Sequence, residues 1–276
     1  MKVKNAIKNF FIYFFLTIGA IIMLFPFYWM LSASVKTVAE YSSFPPVWWP
    51  SNWFNMENFI GAFKQAPFTT YFLNSVIVTG SSVLITGFTT IIGAFAFSRL
   101  KFPGKEAIFA VLVAFMMVPF EMLVITNYQT VAKLHWVDSH YVLVIPFITS
   151  IFYTYILKGF FDTIPDSLYY SARIDGASNW KYLWRVMVPI AKPSLVTIML
   201  LNAIASWNSF MWPQLVINSD RFRTVPFGLF AFMSDAGSDT QKQLAAATLT
   251  VLPMIILFLF ARKYIVNGVA RGGIKG

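Results

Sequence analysis

The chain is 276 residues long, 58% hydrophobic and only 12% charged, with a formal net charge of +10. So few charged groups cannot keep the surface of a folded chain this size in water, which excludes a soluble domain and leaves an integral membrane protein. The absence of cysteine excludes a disulfide framework, a thiol nucleophile and thiolate metal sites.

Six apolar runs are each long enough for the roughly 17–25 residues a helix needs to cross hydrocarbon. The expected fold class is an all-α integral membrane protein with six transmembrane helices, in a single domain covering 1–276. The first run, 11–31, lies in a stretch without charge and lacks a small-x-small cleavage site, which predicts a retained helix. The segment after it, about 32–70, holds Pro45, Pro46, Trp48, Trp49, Pro50 and Trp53. Two readings of it stand: an interfacial aromatic belt, or a platform for an extracellular partner that uses the amphipathic stretch 56–64. The second run, 72–97, carries Gly80, Gly87 and Gly93 among serines and threonines, a composition that lets another helix backbone approach closely.

The third run, 107–127, contains Glu121, a carboxylate well inside the span. The loop beyond it holds the only histidines, His135 and His140, expected to be solvated and not metal ligands. The fourth run is 141–161, the fifth 195–217 and the sixth 244–261. Pro26, Pro119, Pro146, Pro213 and Pro253 sit in or beside the runs, where loss of a backbone donor bends a helix.

Between the fourth and fifth runs lies a polar, helix-prone loop, 162–193. Pro165 suits the first turn of a helix, and Asp166 complements the dipole there. That helix is expected to reach Ile174, with Asp175-Gly176 as a corner, Ser178 as the cap of a second helix, and Pro189 and Pro193 ending it. Leu168, Ala172, Leu183 and Trp184 are available to bury, either against a partner or against the chain's own membrane helices.

Basic residues near span ends stay cytoplasmic. With the N-terminus inside, the inner segments hold Lys2, Lys4, Lys8, Arg99, Lys101, Lys105, Lys158, Arg173, Lys181, Arg185, Lys192, Arg262, Lys263, Arg271 and Lys275, leaving six of the 21 outside. Both termini and the 162–193 loop are therefore expected in the cytoplasm. The net charge is then a topology signal with some attraction to anionic lipid, and nucleic acid is no expected partner. No catalytic constellation and no phosphate-binding glycine loop occur; Gly104-Lys105 lacks the earlier glycine and the following hydroxyl. If ATP drives the protein, another chain must bind it.

The loop carries a resemblance. Permeases of binding-protein-dependent ABC importers have a signature of Glu-Ala-Ala, three residues, Gly, nine residues, then Ile-x-Leu-Pro. This chain reads Tyr170-Ser171-Ala172, three residues, Gly176, nine residues, then Val186-Met187-Val188-Pro189. Ile174-Asp175-Gly176-Ala177-Ser178 resembles the carbohydrate-uptake branch, as do 94–99, Phe102-Pro103-Gly104, Trp207-Asn208 and the ending 272–276. Similarity to the maltose-type second permease covers nearly the whole chain. Tyr170 and Ser171 depart from the signature, so a salt bridge from the usual Glu is not carried over.

The resemblance implies a type I ABC importer permease fold with a two-helix cytoplasmic coupling loop, in a prokaryotic cell membrane. It implies a second permease, two cytoplasmic ATPase subunits that hold ATP and Mg, and an extracellular or periplasmic solute-binding protein. The chain itself would bind no cofactor. Leu168, Tyr170, Ser171, Ala172, Asp175, Gly176, Ala177 and Pro189 would form the coupling surface, and the Tyr170 departure favours a different chain as the second permease. Glu121 must face protein, a partner or a water-filled cavity. Asn127, Gln129, Asn202, Ser206 and Asn208, with Trp207 and Trp212, either line a sugar path or serve as helix-packing polar contacts. The expected function is import of a sugar or oligosaccharide. An importer of the same architecture for a peptide or polyol, and a secondary transporter, are the alternatives.

Overall fold

The computed structural model describes residues 2–235 and 239–272, and among these every regular element is helical. Residues 273–276, which carry most of the terminal resemblance, lie outside the described residues. The chain forms two compact units, residues 1–68 with 228–253 and residues 69–227 with 254–276.

The first unit begins with α1, Lys2–Ser34, a continuous helix despite Pro26. None of its most apolar stretch is buried within the chain, so this helix presents its side chains to lipid or to another subunit. Its C-terminal end is fastened by polar contacts. Lys36, 1% exposed, donates from Nζ to the Val47 carbonyl and stands 4.4 Å from the Trp29 ring centroid. The buried ammonium is thus both hydrogen-bonded and placed over a π face. Asn58 Nδ2 bridges the Ser34 and Lys36 carbonyls at 2.9 and 2.8 Å. After the short α2, Val38–Tyr41, the tryptophans of the following segment interlock edge-on with α1: Trp48 with Trp29 at 5.9 Å and Trp49 with Tyr28 at 5.4 Å. The amphipathic stretch folds as α3, Glu57–Gln65.

The second unit is organised around α4, Phe68–Arg99. Only α1, α4 and α15 (Thr240–Gly272) are, among the described residues, single helices long and apolar enough to cross a membrane; three bent pairs raise the count to as many as six spans. The third expected span is broken into α5, Lys105–Phe115, and α6, Phe120–Lys133, which meet at 96°. Pro119, without an N–H and holding extended backbone at φ −61°, ψ 137°, forms that break. The fourth becomes α7, His140–Val144, a 3₁₀ turn with Pro146, and α8, Ile151–Asp162, bent by 42°. In the fifth, the helix ends at Trp207 instead of continuing to Ile217. Prolines 119 and 146 therefore mark real interruptions, while Pro26 and Pro253 are absorbed in unbroken helices.

The polar residues of α4 close the gaps those breaks open. Thr86 Oγ1 donates to the Phe147 carbonyl at 2.9 Å and Thr89 Oγ1 to the Ile148 carbonyl at 2.6 Å. Both carbonyls lie at the junction before α8, where no helical donor reaches them. Ser75 Oγ accepts from Val225 N at 2.8 Å, and Asn74 Nδ2 donates to the Arg221 and Arg223 carbonyls. Of the glycines, Gly93 packs closely: an added Cβ would stand 3.2 Å from Thr154 Cγ2 on α8, whereas nothing lies within 4 Å of Gly80.

Candidate functional site

The 162–193 loop folds as two short helices around a corner. Pro165 stands at the N-cap of α9, Asp166–Ile174, with Asp166 in the first turn and Arg173 in the last, each placed to complement the helix dipole. Gly176 has φ +73°. The Gly176 amide donates to the Arg173 carbonyl at 3.1 Å and the Ala177 amide to the Ala172 carbonyl at 2.9 Å. These two bonds are a Schellman closure, which needs left-handed backbone at the glycine. Ser178 Oγ then caps α10, Asn179–Tyr182, by accepting from Lys181 N at 3.2 Å. Tyr169 OH donates to Asn179 Oδ1 at 2.9 Å, tying the two helices into one body.

One side of this body is fixed to the membrane unit. Tyr182, Leu183 and Met187 are fully buried with Phe95, Leu157, Phe161, Leu195 and Ile198, and Ala172 and Trp184 pack against the same cluster. Of the two readings open for these apolar residues, burial against the chain's own helices holds for Leu183, which is core, and in part for Ala172 and Trp184. The open side instead shows Leu168, Tyr170, Ile174 and Trp180 at 43%, 54%, 86% and 57% exposure. Ser171, Asp175, Gly176 and Pro189 are exposed as well, and Ala177 is half-buried. Sequence reasoning missed Ile174 and Trp180 as exposed apolar residues; Trp180 packs edge-on against Trp184, one turn further on, at 5.6 Å. Pro189 does not end the second helix. A π turn, Leu183–Met187, leads into α11, Val188–Ile190, and the chain bends by 82° at Ala191 into α12, Lys192–Trp207. Pro193 sits in the first turn of α12, where its missing donor is harmless.

A cavity of about 390 Å³ opens at the middle of α4, within the size range of small-molecule sites. Ser82 and Thr86 of α4, Phe147, Ser150 and Tyr153 around the α8 break, and Asn202, Ser206 and Trp212 contribute to its wall. Ser82 Oγ donates to Asn202 Oδ1 at 3.1 Å. Trp212, in α13, Met211–Val216, donates from Nε1 to the Val142 carbonyl at 2.9 Å, which fixes its ring between Phe120 and Phe147. Among the described residues, no Asp, Glu, Lys, Arg or His lines the cavity.

Of the residues expected on a path, Asn202, Ser206 and Trp212 meet at this cavity and the others do not. Glu121 is not deep within a straight span; it lies exposed in the first turn of α6, directly after the Pro119 break, where the helix dipole favours a carboxylate. Asn127 is half-buried further along α6, and Gln129 is exposed. Trp207 is buried edge-on against Phe72 at 5.6 Å. Asn208 caps α12, donating from Nδ2 to the Ile204 carbonyl at 3.0 Å. His140 is not a solvated loop residue. Its Nε2 stands 2.9 Å from Asn74 Oδ1 and its ring packs edge-on against Phe222 at 5.0 Å.

Comparison with known proteins shows extensive similarity. The family description "Binding-protein-dependent transport system inner membrane component" matches residues 89–271. The inner membrane ABC transporter permease protein YcjP of Escherichia coli is 31% identical over 99% of both chains. The trehalose/maltose transport system permease protein MalG of Thermococcus litoralis is 33% identical, over 95% of this chain and 96% of its own. Among solved structures, a chain of a bacterial ABC transporter involved in import of the acidic polysaccharide alginate superposes with a TM-score of 0.84. It is 22% identical, over 95% of this chain and 98% of that one, so the fold is shared along nearly the whole length.

Proposed function

Because the chain belongs to the family of binding-protein-dependent transport system inner membrane components, we propose that this membrane permease subunit forms part of the path for an uncharged sugar or oligosaccharide. The cavity carries the reading. Its hydroxyl and amide groups match the hydroxyls of a sugar, its aromatic rings offer faces for the apolar side of a pyranose, and no charged side chain among the described residues lines it. A carboxylated glycan would lose its hydration there without gaining a countercharge. The trehalose/maltose relative supports a sugar as solute.

The same reading places both termini and the α9–α10 corner in the cytoplasm, in agreement with the distribution of lysine and arginine. The exposed apolar group Leu168, Tyr170, Ile174 and Trp180 is suited to dock in a cleft of an ATPase subunit. ATP and Mg belong to two such subunits, and a second, different permease completes the path. An external binding protein delivers the solute, and closure of the ATPases on ATP turns the corner and the helices fixed to it.

The test is reconstitution of the affinity-purified complex into vesicles with its binding protein. ATP-dependent uptake of neutral oligosaccharides is expected, and Asn202→Leu should lower it while the complex stays assembled. Uptake driven by a proton gradient and indifferent to ATP, or a lone chain with no associated ATPase, overturns the reading.

A further inference from the structure

The cytoplasmic end of α4 holds the entry to the coupling corner from both sides. Arg99, the last residue of α4, has a side chain only 7% exposed. Its Nη1 donates to Asp166 Oδ1 at 2.8 Å, in the first turn of α9. Its Nη2 donates to the Phe161 carbonyl at 2.8 Å and also to the Ile164 carbonyl. The preceding residue, Ser98, donates from Oγ to Asp162 Oδ1 at 2.7 Å, and Asp162 also pairs with Lys158 at 2.8 Å. Thus two consecutive residues of one helix grip the two ends of the connector 163–165, which joins α8 to α9. The fully buried Tyr182 hydroxyl, from the second helix of the corner, stands beside the same guanidinium.

The chemistry of the site favours arginine specifically. The Phe161 carbonyl lies in the last turn of α8, at the negative pole of that helix, where it accepts from Ile164 N at 3.1 Å as well as from Arg99; the Ile164 carbonyl lies in the connector, and Asp166 adds a carboxylate. One planar fork with five N–H groups reaches all three acceptors in fixed directions, which a single ammonium cannot do. A rigid contact here has a consequence at the cavity. The same uninterrupted α4 carries Val78, Ser82 and Thr86 of the cavity wall, and Ser82 lies about 25 Å from Arg99 along the axis at 1.5 Å per residue.

We infer that Arg99, steadied by Ser98, is a positioning residue for coupling: it transmits displacement of the α9–α10 corner into α4 and so to the cavity wall, instead of letting the 163–165 connector absorb it. The inference rests on the permease reading above. Without the fork, the corner and α4 stay joined only through apolar packing such as that of Tyr182, Leu183 and Met187 with Phe95, and ATP is hydrolysed with less solute moved per turnover. The effect should be graded. Arg99→Gln removes the charge and most of the contacts, Arg99→Lys keeps the charge but not the fork, and Asp166→Asn weakens one arm only.

The experiment uses the whole complex in vesicles with its binding protein and a transported sugar. Subunit stoichiometry, ATP hydrolysis and uptake are measured on the same preparation. Expected is a fall in solute moved per ATP of about tenfold for Arg99→Gln, within the usual range of site-to-site coupling, a smaller fall for Arg99→Lys, and the smallest for Asp166→Asn, with stoichiometry unchanged. A merely structural arginine would lower assembly, hydrolysis and uptake together and leave their ratio unmoved. An unchanged ratio in all three variants overturns the inference. Should the unaltered complex itself show no ATP-dependent uptake, it is the permease reading that fails.

Discussion

Gly176 separates the backbone of the corner from whatever the corner touches. Its φ of +73° lies in the left-handed region, and nothing stands within 4 Å of a Cβ built there. A Cβ at this position therefore meets no neighbour in this chain, and alanine pays only the left-handed backbone cost of about 1–2 kcal/mol, or roughly 5- to 30-fold in the ratio of closed to open corner. Asn visits this region more readily. Measured as uptake per unit of inserted protein, Gly176→Asn should fall least and Gly176→Ala by up to roughly 5- to 30-fold. Gly176→Leu carries the same backbone cost as alanine. Three further carbons reach past that Cβ toward where a docked partner would stand, so Leu should abolish uptake where Ala only reduces it, with insertion intact. Equal activity for Ala and Leu would refute a docked corner, and normal activity for both would refute the role of the corner altogether.

The remaining predictions probe the fastenings around the site. Thr86→Val and Thr89→Val leave the Phe147 and Ile148 carbonyls without donors, and each should lower the thermal stability of the detergent-solubilised protein by about 1–3 kcal/mol; Thr89→Ser, which keeps the hydroxyl, should not. Glu40 is held down to about 2 from 4.5, first by the Ser51 hydroxyl, then by the Thr37 and Ser51 amides. A depressed carboxylate contributes order that is complete above pH 4.5 and is lost as pH falls toward 2. Amide exchange across 37–51 should thus accelerate over that window, and Glu40→Gln should remove the pH dependence. Asp138 is lowered too: burial pushes it up, but the Ser219 amide and hydroxyl and the Asn218 amide outweigh burial. Asp138→Ala should free the loop at Asn218 and Ser219, seen as faster exchange there, while Asp138→Asn retains part of the protection.

What the sequence disclosed divides along a physical line. Local rules found the corner: proline before the first helix, glycine in the left-handed position and serine as the cap are choices that depend on a few neighbouring residues, and all three stand where the spacing puts them. Hydropathy found the apolar runs for the same reason. It could not find the breaks, because a proline in an apolar run is compatible with a smooth helix, as Pro26 and Pro253 show, and with a sharp one, as Pro119 shows. The difference lies in partners distant in sequence. The Pro146 break is sustained by hydroxyls of α4 some sixty residues earlier, and only the fold reveals that these threonines serve as surrogate caps and not as a packing stripe alone.

The same line explains the candidate path. Asn202, Ser206 and Trp212 converge on one cavity, while Glu121, Asn127, Trp207 and Asn208, of similar chemistry, lie elsewhere. Polar residues in apolar runs all need a partner, and a cap such as Asn208 satisfies that need as well as a solute would. Rotation about the helix axis decides between the two uses, and hydropathy does not fix it. The open face of the corner adds a further physical constraint. Where the family signature has a carboxylate, this chain has Tyr170, and on the same two helices Leu168, Ile174 and Trp180 are also exposed. Attachment through such a face draws on apolar burial more than on ion pairing, which makes the contact depend on shape and so on the fixed geometry that Gly176 and Arg99 supply.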